Sequence, residues 1–196
     1  AALDIAVADG RAFRMAALPG ASLSAHWNPY VEPNLLLEND GRGAFTDVSA
    51  AAGAFGTDLG IARGLAVGDY DNDGDLDLLV TNNGGDAELL RNDAASRPHS
   101  LLVRLRGAAP NPDAIGARIR VTSGSRTQMR DVRAGSSYMS QNDLRAHFGL
   151  GAAARVDRLA VQWPSGRREM LSDVAADQIV TIEEGKGIVG HTPFVR

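Results

Sequence analysis

Five aspartates fall within nine residues in the run Asp69-Tyr70-Asp71-Asn72-Asp73-Gly74-Asp75-Leu76-Asp77. Calcium is a hard cation that takes six to eight oxygen ligands at about 2.3–2.6 Å. Carboxylates at positions 1, 3, 5 and 9 of a tight loop converge on one such ion, and position 7, here Asp75, adds its backbone carbonyl. Glycine at position 6, Gly74, permits the sharp turn. Without a cation these like charges repel at close range, which is the weakness of the competing reading, a solvated acidic turn without metal. The expected ligands are Asp69, Asp71, Asp73, Asp75 and Asp77, and the expected ion is Ca2+. An EF-hand needs an entering helix and a bidentate Glu at position 12. Position 12 is Val80, and both Gly64-Leu65-Ala66-Val67 and Leu76–Val80 read as strands, so the site is strand–loop–strand. Extracellular sites of this kind bind at about 10⁻⁴–10⁻³ M and add ~0.5–1.5 kcal/mol at millimolar calcium. That suits a structural staple outside the cell better than a cytosolic sensor.

Two other groups of residues carry possible chemistry. Ser137, Ser140, Asp143 and His147 contain the residue types of a nucleophile system. The same hydroxyls serve equally well to satisfy backbone groups in a polar loop over Ser136–Asp143. No G-x-S-x-G elbow is present. His26, Trp27 and Tyr30 lie on a long loop, where they either stack on a ligand or anchor the loop. Trp163, before Pro164, reads as packing. Arg126, Arg130, Arg133 and Arg145 read as a solvated strand face, and Glu183-Glu184 as a solvated strand end.

The elements that position the acidic loop repeat. Leu3-Asp4-Ile5-Ala6-Val7 has the shape of Leu76-Asp77-Leu78-Leu79-Val80, and Leu36-Leu37-Glu38-Asn39-Asp40 that of Leu89-Leu90-Arg91-Asn92-Asp93. Each unit is a strand, a loop, a second strand and an Asn-Asp turn. The first has a longer loop, about Gly10–Pro33. Short strands with Gly/Asn/Asp turns at such spacing predict propeller blades or a similar all-β repeat. Phe45-Thr46-Asp47-Val48 is a further short strand, and Ala50–Phe55 a small-residue connector. The pattern changes after Ser96-Arg97-Pro98. Ser100–Arg106 alternates, Ala117–Thr122 and Thr127–Val132 form a hairpin, and Leu144–Leu150, Val156–Trp163, Arg168–Leu171 and Gln178–Glu183 complete a sandwich or barrel-like module of roughly seven strands. The expected fold is therefore mainly β, with a partial propeller over 1–95 and a C-terminal β domain over 96–196. Little helix is expected, with Ala50–Phe55 and Ala152–Ala154 the exceptions to watch.

Composition narrows the function. A net charge of −4 argues against a nucleic-acid partner, whose phosphates need a basic face. No apolar stretch approaches the ~20 residues of a membrane-spanning helix. The absence of cysteine removes disulfides, thiolate catalysis and zinc–thiolate sites. The chain opens on Ala1-Ala2-Leu3 without Met, which reads as mid-strand and suggests a fragment or a processed product.

The run Gly68–Asp77 resembles the FG-GAP/VCBS repeat, the calcium-bearing blade of integrin-type propellers, and Asn39–Val48 resembles its blade ending. Gly116-Ala117-Arg118-Ile119, Ser136–Asp143, His147-Phe148-Gly149-Leu150-Gly151 and Val161–Gly166 resemble the ASPIC/UnbV domain of cartilage acidic protein and its bacterial relatives. The resemblance implies a secreted, periplasmic or cell-surface module that binds a protein or glycan, with calcium ordering a blade loop. It also implies further blades, or another chain, at the open strand edges. Asp4 would match Asp77 as the last ligand of a preceding loop, so a separate metal site at Asp4 alone is not expected. The alternative function is a carbohydrate-active or secondary-metabolite enzyme with its site near Ser136–His147.

Overall fold

The computed structural model describes residues 3–93 and 98–195. The expected boundary at 95/96 and the opening Ala1-Ala2 fall outside them. The chain divides into two compact units, Ala1–Val67 with Asp77–Asn92 and Ser137–Gln141, and Gly68–Leu76 with Asp93–Ser136 and Asn142–Arg196.

In the first unit the strands are β1 (Ile5–Val7), β2 (Glu32–Pro33), β3 (Leu35–Asn39), β4 (Phe45–Asp47), β5 (Leu59–Gly60), β6 (Ala62–Gly68), β7 (Asp77–Asn82) and β8 (Glu88–Leu90). They form two three-stranded sheets, β1-β3-β4 and β6-β7-β8, and the short pair β2-β5. The Ala50–Phe55 connector becomes a 3-10 turn at Ser49–Ala51 and one helical turn, α1, at Ala54–Thr57. Val80, Leu65, Ala62 and Phe55 are its buried apolar centre, with Ala6, Leu36, Leu78 and Leu90 packed around them. On the long loop Trp27 lies half-buried and Pro29 buried. A Cβ on Gly84 would stand 2.7 Å from the Trp27 indole nitrogen, so the aromatic group anchors its loop on the turn after β7. His26 and Tyr30 pack beside it, His26 edge-on at 4.7 Å.

Among the described residues of the second unit, eight strands, where roughly seven were expected, build two four-stranded sheets. The strands are β9 (His99–Arg106), β10 (Arg118–Ser123), β11 (Arg126–Asp131), β12 (Ala146–Gly151), β13 (Arg155–Gln162), β14 (Arg168–Ala175), β15 (Gln178–Glu183) and β16 (Gly187–Pro193). Their order is β11-β10-β13-β14 in one sheet and β12-β9-β15-β16 in the other. All pairs are antiparallel except β9 with β15. Among the described residues one apolar core takes side chains from both sheets, including Leu101, Phe148 and Ile182 from one and Ile119, Leu159 and Val161 from the other. The hairpin β10-β11 turns at Ser123–Arg126, with Gly124 at φ +57°. Trp163 is 2% exposed and belongs to the core.

One expectation is corrected. β9 does not alternate along its length: Leu101, Leu102 and Val103 are all buried, so both faces of its first half are covered, and alternation begins only at Arg104. Ala152–Ala154 forms a turn, with no helix, between β12 and β13.

Candidate metal site

The acidic loop leaves β6 at Gly68 and enters β7 at Asp77, and Val80 at position 12 is fully buried in β7. Asn72 at φ +61° and Gly74 at φ +97° turn the backbone sharply between the two strands. Asp69 is fully buried, and its carboxylate accepts the N–H of Asp73 at 3.2 Å on Oδ1 and of Gly74 at 3.0 Å on Oδ2. Asp73 Oδ1 accepts the N–H of Asp75 at 2.9 Å. Asp77 Oδ1 accepts the N–H of Asn92 at 2.8 Å, joining the loop's end to the chain two residues beyond β8. These bonds fold the loop upon its own first and third aspartates.

Asp69, Asp71 and Asp77 come together, each offering an oxygen within 4.8 Å of the others. Two oxygens on opposite sides of one calcium stand at most about 5 Å apart, twice the metal–oxygen distance. The spacing therefore fits a single coordination sphere. Asp71 Oδ1 is buried and meets no hydrogen-bond donor among the described residues. Burial pushes the Asp69 carboxyl up, against the pull of the Gly74 and Asn72 N–H groups and of the Arg145 cation. A buried carboxylate of this kind is costly unless a positive charge meets it. The donor set, all carboxylate oxygens, is that of a hard cation.

The sequence reading missed the second half of the site. Arg145 is not on a solvated face; its side chain is 19% exposed. Its guanidinium donates to Asn72 Oδ1 at 2.5 Å and to the Asp69 carbonyl. Its Nε reaches Asp143 Oδ2 at 2.6 Å. His147 and Ser100 both hold the Gly74 carbonyl, His147 through Nε2 at 3.1 Å and Ser100 through Oγ at 2.9 Å. The Val195 N–H donates to the Asn72 carbonyl at 2.8 Å. Arg145, His147 and Ser100 lie 26 to 76 positions from their loop partners, so no local pattern announced them.

The residues of the expected nucleophile group have other partners. Ser140 Oγ accepts the Leu65 N–H and donates to the Tyr138 carbonyl, both at 3.0 Å. Ser136 Oγ accepts the Asn142 N–H at 3.2 Å, and Asp143 is paired with Arg145. Arg130 lies over the Phe148 ring at 5.5 Å. A cleft of about 320 Å³ in the second unit is lined by Arg104, Leu105, Asp113, Asp143, Leu144 and Arg145.

His147 makes the second unit sensitive to acid. Since a carbonyl only accepts, Nε2 carries the proton toward Gly74, and burial holds the imidazole below its ordinary value of 6.5. The unfolded chain then binds more protons than the folded one just below that value, so stability rises with pH there and is lost as pH falls. Between about pH 7 and about pH 5 the melting temperature should drop more for the wild type than for His147→Gln, whose amide still donates to Gly74. Equal drops in thermal melts of the two would refute a contribution from His147.

Family models place these observations. The model for the FG-GAP-like repeat matches residues 3–80, and that for ASPIC and UnbV matches residues 107–189. The chain thus carries an FG-GAP-like repeat followed by an ASPIC/UnbV domain, and its two small sheets are propeller-type blades that do not close. No curated protein matches the chain. Among the described residues no helix is long and apolar enough to cross a membrane.

Proposed function

We propose that this chain is a calcium-stabilised, extracytoplasmic binding or adhesion module. The blade part is taken as residues 1–95 and the ASPIC/UnbV-like part as 96–196. The ligands are drawn from Asp69, Asp71, Asp73, Asp75 and Asp77, with Asp69, Asp71 and Asp77 supplying the gathered carboxylates. The observation that carries this reading is the buried, donor-free Oδ1 of Asp71 beside the fully buried Asp69 and the near Asp77. When bound, calcium would supply the cluster with positive charge beyond that of Arg145.

The chain's own residues then fix the loop. Asp69 and Asp73 hold its backbone, and Arg145 clamps its outer side through Asn72. Arg145 and Asp143 also line the 320 Å³ cleft. A cleft with both charge signs and two leucines suits a polar protein or glycan ligand, and its arginine depends on the order of the calcium loop. Ligand binding would depend on calcium indirectly, by this route. FG-GAP repeats and the hard-oxygen donor set support the ion; the low affinity expected of such sites supports a compartment with millimolar calcium.

The test is thermal unfolding in calcium, in magnesium and in chelator, beside an Asp71→Ala/Asp73→Ala variant. At about 10 mM calcium, a dissociation constant of about 10⁻⁴–10⁻³ M stabilises the fold by about 1.5–3 kcal/mol. The wild type should melt higher in calcium than in magnesium or chelator, and the variant should show no calcium response. A wild type indifferent to calcium would refute the reading.

A further inference from the structure

The sheet β11-β10-β13-β14 has one face in the core and one in water. Ile119, Val121, Leu159 and Val161 belong to the core, so the residues that alternate with them point out. The four strands carry seven arginines against four acids, in a chain whose net charge is −4. Each of those acids is already engaged. Asp131 is held by Arg118 at 2.8 Å and by Arg133 at 3.2 Å, and Asp173 by Arg155. Asp157 accepts the Gly124 N–H and Glu169 the Gly185 N–H, both at 2.6 Å. Arg120, Arg158 and Arg168 are exposed and form no ion pair among the described residues.

The free cations stand in a line. Arg118 and Arg120 are about 7 Å apart along β10, and Arg158, opposite Thr122 on β13, lies about 8 Å further on. Arg133 shares Asp131 with Arg118 and extends the line at its other end. The result is a track of four guanidinium groups slanting across the sheet, with one acid near its end. Met129 and Met170, 45% and 65% exposed, flank it at the level of Arg120, and the short Ala160 lies between Arg120 and Met170. Gln162, exposed between Arg118 and Arg168, adds an uncharged amide.

A line of cations suits a chain of anions better than a plane of them. Guanidinium forks bind carboxylates and similar oxyanions bidentately. The four strands contain no aromatic residue, so nucleic-acid bases have nothing to stack on. The amide and hydroxyl groups beside the track match a ligand rich in hydroxyls, and the methionine and alanine side chains match the C–H faces of sugar rings. We propose that this outer face binds a linear acidic polysaccharide bearing carboxylate or sulfate groups, with Arg118, Arg120, Arg133 and Arg158 contacting its anions. The ligand class rests on the reading of the chain as a binding module, but not on its calcium site. No residue of the acidic loop, and none that lines the cleft, belongs to this sheet.

Binding of the whole chain to immobilised dextran sulfate and carboxymethyl dextran, beside neutral dextran, tests the proposal in calcium and in chelator. The wild type should bind both acidic polymers and not dextran, equally with and without calcium, and added salt should weaken the binding. Arg120→Gln/Arg158→Gln should weaken it by about tenfold or more. Arg14→Gln/Arg106→Gln removes the same charge from exposed positions off this sheet and should leave binding nearly unchanged. Thermal melts check that both variants fold. No binding to either acidic polymer, or an equal loss in the two double variants, would overturn the proposal. So would tighter binding to single-stranded DNA or to vesicles of anionic lipid, or binding seen only in calcium. A melting temperature indifferent to calcium, by contrast, would refute the calcium site and leave this face as described.

Discussion

Phe148→Ala lowers the stability of the second unit by about 3–5 kcal/mol, the usual range for deleting a buried aromatic. Phe148 is fully buried in β12 among core side chains from both sheets. The two sheets share this core, so a cavity there is lined from both sides and collapses poorly. The ring also carries the Arg130 guanidinium at 5.5 Å, and burial lowers the Arg130 pKa. Removing the ring leaves that cation with less favourable company, which keeps the loss toward the upper part of the range. Urea unfolding followed by tryptophan fluorescence reads the effect, since Trp163 lies in the same core. A loss below about 1.5 kcal/mol would mean that the sheets do not depend on one another as described.

Arg145→Ala costs about 2–4 kcal/mol when measured in chelator. The side chain donates to Asn72, to the Asp69 carbonyl and to Asp143, and it is largely withdrawn from water. Hydrogen bonds to charged groups contribute about 1.5–3 kcal/mol each, and deletion also strands partly buried acceptors. An exposed ion pair would be worth less than about 1 kcal/mol, so the size of the loss separates a clamp from a solvated arginine. Working in chelator matters, because Arg145 is a cation near the acidic cluster and its removal by itself favours a bound cation. Urea titrations of wild type and Arg145→Ala in chelator provide the comparison, and a difference under 1 kcal/mol refutes the clamp.

Where sequence sufficed, the deciding information was local. Alternate aspartates and Gly74 in nine residues define the acidic loop, and Val80 at position 12 excludes an EF-hand. The blade repeat was legible because Asp4 and Asp77 keep the same offset from apolar strand residues, and the structure gives both the same asparagine bond. The hairpin around Gly124 was legible for the same reason. What failed to show depends on distant residues. Strand β16 contains Gly187, Gly190 and Pro193, which hide its periodicity, and it is held by pairing with β15. In β9, Leu101, Leu102 and Val103 are buried on both faces of the strand, which removes the alternation there. Arg145 looked like one of four surface arginines until folding set it against Asn72, 73 positions earlier.

Asp69, Asp71 and Asp77 form an arrangement that could hold a cation, and a direct calcium titration by isothermal calorimetry tests the proposed calcium site most simply. The titration should show one calcium per chain with a dissociation constant of about 10⁻⁴–10⁻³ M. Magnesium should bind far more weakly, and Asp69→Asn should give no measurable heat of binding. A flat calcium titration of the folded wild type, or equal binding by Asp69→Asn, would contradict the assignment of this loop as a calcium site.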